Sequence, residues 1–110
     1  MAQFDVYRNT GRQREAIPYI VAVQCSLYDD YGRRVVIPLV KASALGIIAN
    51  PRLNPTFKIK NIAVVLRPLE IVSVPVSVLG EPVASLKADA QRVIGSLDDL
   101  LLRGDPKAGS

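Results

Sequence analysis

The spacing of apolar residues changes near residue 85, and this change limits the folds that the chain can adopt. Before it, short runs rich in valine and isoleucine either alternate with polar residues or are apolar on both faces, as β-strands are. From about 85 to 103, apolar residues recur at steps of three and four, which is typical of an amphipathic helix that ends before Gly104. The pattern predicts several antiparallel strands, in a sheet or a barrel, followed by one packed C-terminal helix.

Turn residues and prolines divide the β-rich part. The stretch "TFKIK" predicts a strand with Phe57 and Ile59 inward and its lysines outward, and Asn61 then predicts a tight turn. The run "LEIVSVPVSVLG" predicts another long β-rich segment. Because proline cannot donate a ladder hydrogen bond, the strand "RRVVIPLV" should end, bulge or lie at an edge at Pro38.

Composition excludes several kinds of chemistry. The 110 residues are 49% hydrophobic with a formal charge of +4, which suits one globular domain. Histidine is absent, which removes the usual neutral-pH base and zinc ligand. The basic residues lie singly or in pairs, which predicts solvated surface rather than a nucleic-acid groove: Arg12, Arg14, Arg33, Arg34, Lys58 and Lys60.

The single cysteine and the apolar runs indicate the compartment. Cys25 has no partner for an intrachain disulfide, so we expect a small buried side chain in a reducing environment. Neither a secretory signal nor a run of about 18 apolar residues is recognisable, and we therefore expect a cytoplasmic protein.

Two stretches are similar to one protein family: "GRRVVIPL" at 32–39 and "SVPVSVLGEPVASL" at 73–86. With the opening "QFDVY" and the segment "YIVAVQCSLYDDY", they resemble the CcdB family of toxins, found in plasmid and chromosomal toxin–antitoxin modules. The resemblance covers about residues 2–104. It implies a mainly β (β+α) fold: an SH3-like barrel of antiparallel strands with a small extra sheet and one C-terminal α-helix.

The resemblance also implies a function without catalysis or a cofactor. Family members are homodimers that bind the A subunit of DNA gyrase and trap its cleaved-DNA complex. A partly disordered, CcdA-like antitoxin neutralises the toxin by folding onto it, and the pair represses its own operon, so that operator DNA is bound only through the antitoxin complex. We expect one such domain over residues 1–104, followed by a flexible tail over residues 105–110.

The gyrase-binding residues implied by the resemblance differ from the family pattern. The family's anchor, a Trp-Gly-Ile triplet directly after the helix, aligns with Arg103, Gly104 and Asp105, and five further residues follow. Arginine thus replaces the tryptophan and aspartate replaces the isoleucine. The alternative hypothesis is a family member that keeps the fold, the dimer and antitoxin binding but has lost or redirected gyrase poisoning.

The antitoxin-binding positions of the family match Leu27 and Tyr28 in a loop, and Asp99 and Leu102 at the helix end. Leu27, Tyr28 and Leu102 would keep an apolar patch on which an amphipathic segment can lie. Simple packing remains open as the role of Leu102.

A third hypothesis belongs to another class, because toxins that cut messenger RNA share a related barrel. In such an endoribonuclease, Arg33 and Arg34 would stabilise a phosphorane, and Asp30 would act as the base. An exposed basic turn is the competing interpretation of the same residues.

Overall fold

Runs of alternating or continuous apolar residues form seven antiparallel strands in the computed structural model, which describes residues 3–102. The strands are β1 (Asp5–Arg8), β2 (Tyr19–Ala22), β3 (Arg33–Lys41), β4 (Thr56–Ile59), β5 (Ile62–Leu66), β6 (Val72–Pro75) and β7 (Ala84–Ser85). One α-helix, α1, spans Ala90–Leu101. Single 3-10 turns lie at Ser26–Tyr28, Ala42–Ala44, Pro68–Glu70, Val76–Val78 and Lys87–Asp89.

Strand β3 is the centre of the sheet, because it pairs with β2 along one edge and with both β6 and β5 along the other. The strand order is β4-β5-β3-β2-β1-β7, with β6 beside β3. This nearly closed antiparallel sheet with its C-terminal helix confirms the expected SH3-like barrel. The β4–β5 hairpin branches from the second half of β3 and is the counterpart of the expected small extra sheet.

Pro38 lies inside β3 rather than at its end. Residues Arg33–Val36 pair with β6 and Leu39–Lys41 pair with β5, so the proline occupies the gap between the two partner strands. The carbonyl of Val35 accepts from the β2 side, and by alternation the backbone of Pro38 faces the opposite edge. Its missing N–H therefore breaks neither ladder, and its carbonyl accepts from the N–H of Arg67 at 3.1 Å. The strand neither ends nor bulges at Pro38. Of the three predicted outcomes only the edge position is correct, and it applies to Pro38 alone, between β6 and β5.

Side chains on both faces of β1, β2 and β3 are buried, which is why these strands are apolar at successive positions. The larger cluster includes Val93 of α1 and packs it against residues of the sheet: Val6, Val21, Ile37, Leu39, Phe57, Val64 and Leu66. A smaller cluster consists of Tyr7, Ala22, Val36 and Leu79. Because neighbouring residues such as Val36 and Ile37 point to opposite faces, the two clusters lie on opposite sides of β3.

The β4–β5 hairpin agrees with its prediction in detail. Phe57 and Ile59 are buried while Thr56 and Lys58 are exposed. Both turn residues, Lys60 and Asn61, have positive φ, at 49° and 70°. Positive φ at two successive positions is the geometry of the tight hairpin turn that asparagine tolerates well.

The predicted long β segment before Gly80 is wrong in extent. Strand β6 has four residues, and 3-10 turns at Pro68–Glu70 and Val76–Val78 flank it. Its register with β3 runs from Val72 to Pro75, opposite Arg33, where β3 itself begins. Beyond that point β3 offers no partner, and the chain turns.

Helix α1 begins at Ala90, five residues after the predicted start at Ser85. Ser85 belongs to β7 and pairs with β1, and the N–H of Leu86 donates to the carbonyl of Phe4 at 2.8 Å. Pairing with β1 keeps this segment extended, and the 3-10 turn Lys87–Asp89 leads into the helix. Leu86 fits the helical spacing of apolar residues, but it is buried because it follows β7 beside β1, not because it belongs to the helix.

The apolar stripe of α1 divides between the core and the surface. Val93 is buried and Leu97 packs against the larger cluster, whereas Ile94 and Leu101 are exposed. The predicted cap at Gly104 and the predicted tail at 105–110 lie outside the described residues.

Polar contacts fix α1 against β4 and the residues just before it. The buried Ser96 hydroxyl donates to the carbonyl of Leu53 at 2.5 Å. Arg92 donates to the carbonyl of Thr56 at 2.6 Å, and its guanidinium lies 4.4 Å from the centre of the Phe57 ring. The helix is therefore held by directed bonds as well as by its apolar face.

Ser96→Ala tests this attachment. The substitution leaves the Leu53 carbonyl without its donor, so the free energy of unfolding should fall by about 1–2 kcal/mol. Urea denaturation measures the change, and Ser26→Ala, at an exposed position, should change stability by less than about 0.5 kcal/mol. Equal effects of the two substitutions would contradict a structural role of the Ser96 hydroxyl.

Tyr7 is the one ionisable side chain in the smaller cluster, and its buried hydroxyl has no hydrogen-bond partner among residues 3–102. Burial raises the pKa of Tyr7, and the nearby carboxylate of Asp5 raises it further. Arg34 acts in the opposite direction and lowers that pKa, but burial outweighs it.

The raised pKa of Tyr7 predicts a loss of stability in alkali. The unfolded chain, in which tyrosine has a pKa of about 10, releases this proton before the folded chain does. The contribution of Tyr7 to the free energy of unfolding should therefore be fully present below about pH 10 and should be lost as the pH rises towards the pKa of Tyr7 in the folded chain. Tyr7→Phe should remove this part of the fall, and at pH 7 it should be neutral or stabilise by up to about 1 kcal/mol.

Urea unfolding at a series of pH values from about 8 to about 11 measures the slope for both proteins. The matched control is Tyr31→Phe, which removes a hydroxyl from an exposed ring. If the free energy of unfolding falls with pH equally in Tyr7→Phe and Tyr31→Phe, the buried Tyr7 hydroxyl does not cause the loss of stability in alkali.

Candidate functional site

The connection between β2 and β3 carries an exposed apolar surface. Residues 25–32, which we call the tyrosine loop, include Leu27 at 75% exposure and Tyr31 at 67%, with Tyr28 half exposed between them. The rings of Tyr28 and Tyr31 meet edge to face, with centroids 5.8 Å apart and an angle of 77° between their planes. Leu27 and Tyr28 are the predicted loop contacts, and Tyr31 joins them as a third large apolar side chain that the sequence did not single out.

Arg34, the second residue of β3, holds the tyrosine loop from below. Its Nη1 donates to the carbonyls of Tyr31 at 2.8 Å and Arg33 at 2.9 Å, and its Nη2 donates to the carbonyl of Asp29 at 2.8 Å. The Asp29 carboxylate lies 3.7 Å from the Arg34 Nε. One planar guanidinium thus connects three carbonyls of the loop and its exit, a task for which its fork of donors is suited.

Gln24, which directly precedes the tyrosine loop, also forms hydrogen bonds with the backbone of the loop and of β3. Its amide nitrogen donates to the carbonyls of Tyr28 at 3.1 Å and Arg33 at 3.3 Å, and its side-chain oxygen accepts from the N–H of Val35 at 3.2 Å. Within the loop, the N–H of Tyr31 donates to the carbonyl of Tyr28 at 3.1 Å. The loop is therefore cross-linked by hydrogen bonds although its large side chains are exposed.

Two predictions about this region are wrong. Cys25 is exposed, because β2 ends at Ala22 and the cysteine already lies at the start of the loop. Arg34 was expected on solvated surface and is only 6% exposed, because its side chain lies beneath the loop that it bonds. Arg33 lies on the exposed side and donates to the hydroxyl and the carbonyl of Ser73, both at 2.8 Å.

The predicted contacts at the helix end differ in their surroundings. The Asp99 carboxylate accepts from the Nε of Arg52 at 3.1 Å and is mostly buried. Leu102 follows the last residue of α1 and is 79% exposed, so it is not part of the core. No hydrogen bond or ion pair among residues 3–102 joins this end of the helix to the tyrosine loop. The predicted gyrase-binding residues 103–105 lie outside the described part of the chain.

A second apolar surface, which we call the helix-side patch, lies where α1 contacts the 3-10 turn Pro68–Glu70. Its exposed members are Leu69, Ile71, Ile94 and Leu101. The exposure of the turn residues was not predicted, because the stretch "LEIV" has the apolar pattern of the start of a buried strand. They lie before the start of β6 at Val72, and that start is determined by the pairing with β3.

A pocket of about 360 Å³ lies between the loop after β1 and strand β6. Aliphatic side chains form most of its lining: Ile17, Ile20, Val36, Pro38, Val72, Val74 and Val78. Polar groups of Arg8 and Asn9 lie at one side. The pocket contains none of the predicted site residues.

No group of three or more His, Cys, Asp or Glu side chains in residues 3–102 could hold a metal ion. The Nη donors of Arg34 are directed at carbonyls of its own loop, and Arg33 is bonded to Ser73, so the arginines of the endoribonuclease hypothesis do not converge on an open site with Asp30. None of the helices within the described residues is long and apolar enough to span a bilayer.

Comparison with known protein families gives one match that covers most of the chain. The sequence model described as "CcdB protein" matches residues 3–104 of the 110. The matched region contains all seven strands, the tyrosine loop and α1. The chain therefore belongs to the CcdB family, whose members are toxins of toxin–antitoxin systems.

Proposed function

We propose that this protein is a toxin that binds the A subunit of DNA gyrase and traps the cleaved-DNA complex of that enzyme. A CcdA-like antitoxin neutralises it, and the two proteins repress their own operon, with operator DNA contacted through the antitoxin complex. The observation that carries the proposal is the family match over residues 3–104, on a barrel with one C-terminal helix. We further propose a single domain over 1–104, a flexible tail over 105–110 and a cytoplasmic location.

The proposed action is contact without bond-making chemistry or a cofactor. A toxin of this kind needs a rigid scaffold that presents a few strongly bound side chains to its target. The shared strand β3 and the hydrogen-bonded tyrosine loop supply rigidity, and exposed leucine and tyrosine side chains supply contact area. These features support a binding protein in preference to an enzyme.

Helix α1 leads the chain directly to the proposed gyrase contact, because it ends at Leu101 and Arg103, Gly104 and Asp105 follow in the sequence. A tryptophan at the first position of the family triplet would bury on the order of 200 Å², or several kcal/mol at about 25 cal/mol per Å². Arg103 can stack or pair with a carboxylate, but the Asp105 carboxylate is costly to bury without a partner. We therefore expect weaker gyrase binding than a Trp-Gly-Ile end would give.

The same triplet supports the second candidate function, a family member that keeps the fold, the dimer and antitoxin binding but has lost or redirected gyrase poisoning. The test compares the natural chain with a variant that carries Arg103→Trp and Asp105→Ile and ends after residue 105. We expect both to inhibit supercoiling and trap cleaved DNA, with the variant active at a concentration at least about tenfold lower.

Gyrase from a resistant host strain serves as the control for target specificity. Inhibition by the variant alone would establish the second candidate function. Absence of inhibition by both proteins would remove gyrase from the proposal while leaving the family assignment intact.

We propose that the helix-side patch forms the homodimer interface. Its exposed aliphatic side chains come from two different parts of the chain, and a twofold axis through such a patch would cover both copies at once. Isolated exposed residues elsewhere, such as Ile47 at 99% exposure, lack this grouping.

Ile94→Glu should separate the proposed dimer, because it places a carboxylate in the middle of an apolar contact. Sedimentation equilibrium should show a dimer for the natural chain and a dissociation constant raised by at least about a hundredfold for the variant. Ile47→Glu is the matched control and should sediment as the natural chain does. A dimer that resists Ile94→Glu would move the interface away from α1.

We propose that the antitoxin occupies Leu27 and Tyr28 in the tyrosine loop, and Asp99 and Leu102 at the helix end. The exposure of Leu27, Tyr28 and Leu102 supports this, since an amphipathic segment binds through apolar anchors. Asp99 is already paired with Arg52, so we assign it the role of orienting that arginine towards the partner.

A further inference from the structure

The tyrosine loop combines exposed side chains with a hydrogen-bonded backbone. Its side chains Leu27, Tyr28 and Tyr31 are exposed, yet its backbone is bonded at successive positions by Gln24 and Arg34. An exposed loop that is already ordered loses little conformational freedom when a partner covers it. Such pre-organisation strengthens binding without adding contacts.

Arg34 is the group that supplies this order. Burial of a guanidinium is costly, and a buried ion pair contributes little to stability in comparison with apolar packing. The Arg34 Nε is buried without a hydrogen-bond partner, and the neighbouring Asp29 carboxylate lies at 3.7 Å, so the arrangement is not optimal for stability alone. What the guanidinium does achieve is a fixed distance between the carbonyls of Asp29, Tyr31 and Arg33.

Two of the hydrogen-bonded residues carry the aromatic rings. The carbonyl of Tyr31 accepts from Arg34, and its N–H donates to the carbonyl of Tyr28, which in turn accepts from Gln24. The two residues bonded in this way are those whose rings meet edge to face. Together with Leu27, the rings form one preformed apolar surface, with the exposed carboxylate of Asp30 beside it.

We propose that Tyr31 is a further contact residue of the antitoxin and that Arg34 is the positioning residue that holds it against Tyr28. The inference rests on the proposed function of the loop. The occupant is an amphipathic antitoxin segment with two or more apolar anchors and a lysine or arginine that faces Asp30. The apolar anchors match the exposed rings, and the cation matches the exposed carboxylate.

The test measures binding of the full chain to a synthetic peptide of the C-terminal arm of the antitoxin encoded beside this gene. Tyr31→Ala should raise the dissociation constant by at least about tenfold, whereas Tyr31→Phe, which keeps the ring, should retain most of the affinity. Arg34→Lys keeps the charge but loses the fork, and should weaken binding by about tenfold as well. Arg92→Lys is the matched control, because Arg92 also donates to a carbonyl but lies on α1.

A second measurement separates positioning from general stability. In the free protein, NMR cross-peaks between the Tyr28 and Tyr31 rings should weaken in Arg34→Lys and persist in Arg92→Lys, at a temperature well below unfolding of both. If Arg34→Lys does not fold, the comparison of Tyr31→Ala with Tyr31→Phe decides the inference, since an exposed ring is not needed for the core.

The outcomes distinguish the inference from the function beneath it. If the natural chain does not bind the peptide, the proposed antitoxin site is wrong. If the natural chain binds and Tyr31→Ala binds equally well, the loop inference is overturned and the site stands on its other residues. If Tyr31→Ala weakens binding to the gyrase A subunit but not to the peptide, the loop belongs to the gyrase contact, and the inference is likewise overturned.

Discussion

Hydrogen bonding along strand β3 connects all parts of the barrel. One edge of the strand holds β2, and the other holds β6 and then β5, while its side chains alternate between two apolar clusters. Because both edges and both faces of a single strand are occupied, a displacement of β3 would disturb every neighbour together. The regions that we assign to partners depend on this strand and its neighbours: Arg34 at the start of β3 orders the tyrosine loop, and β6, paired to the same half, follows directly after Leu69 and Ile71 of the helix-side patch.

Rigidity of this kind matters for a protein that acts by contact. Any ordering of the interface on association reduces the affinity of such a protein for its partner. Surfaces that need no ordering on association retain more of their contact energy as affinity. The buried Arg34 illustrates this point, because it orders the backbone of the loop that carries the two exposed tyrosine rings.

Local spacing predicted those elements whose neighbours in sequence are also neighbours in space. The β4–β5 hairpin is of this type, and so is the helical spacing of α1 after Ala90, although Ile94 and Leu101 of its predicted apolar stripe are exposed. The start of α1 was misplaced because Ser85 and Leu86 pair with β1, some eighty residues earlier in the chain, and periodicity carries no information on such pairing. Arg34 was misjudged for a related reason, since only the returning loop provides the carbonyls that allow its burial.

At the candidate site, the resemblance to CcdB proteins identified Leu27 and Tyr28, which are exposed on the loop as a contact surface requires. Tyr31 was missed because its relation to Tyr28 is a matter of ring geometry rather than of spacing. The helix-side patch was missed because the start of β6 at Val72 is set by its pairing with Val36, which spacing along the chain does not reveal.

Pro38 gives this arrangement a further property. If β6 or β5 slid along β3 by two residues, one of its backbone carbonyls would lie opposite Pro38. Because proline has no backbone N–H, that carbonyl would have no hydrogen-bond donor on β3. Extension of β6 or β5 past Pro38 would therefore lose a ladder hydrogen bond, and the proline favours the present register of both strands on β3.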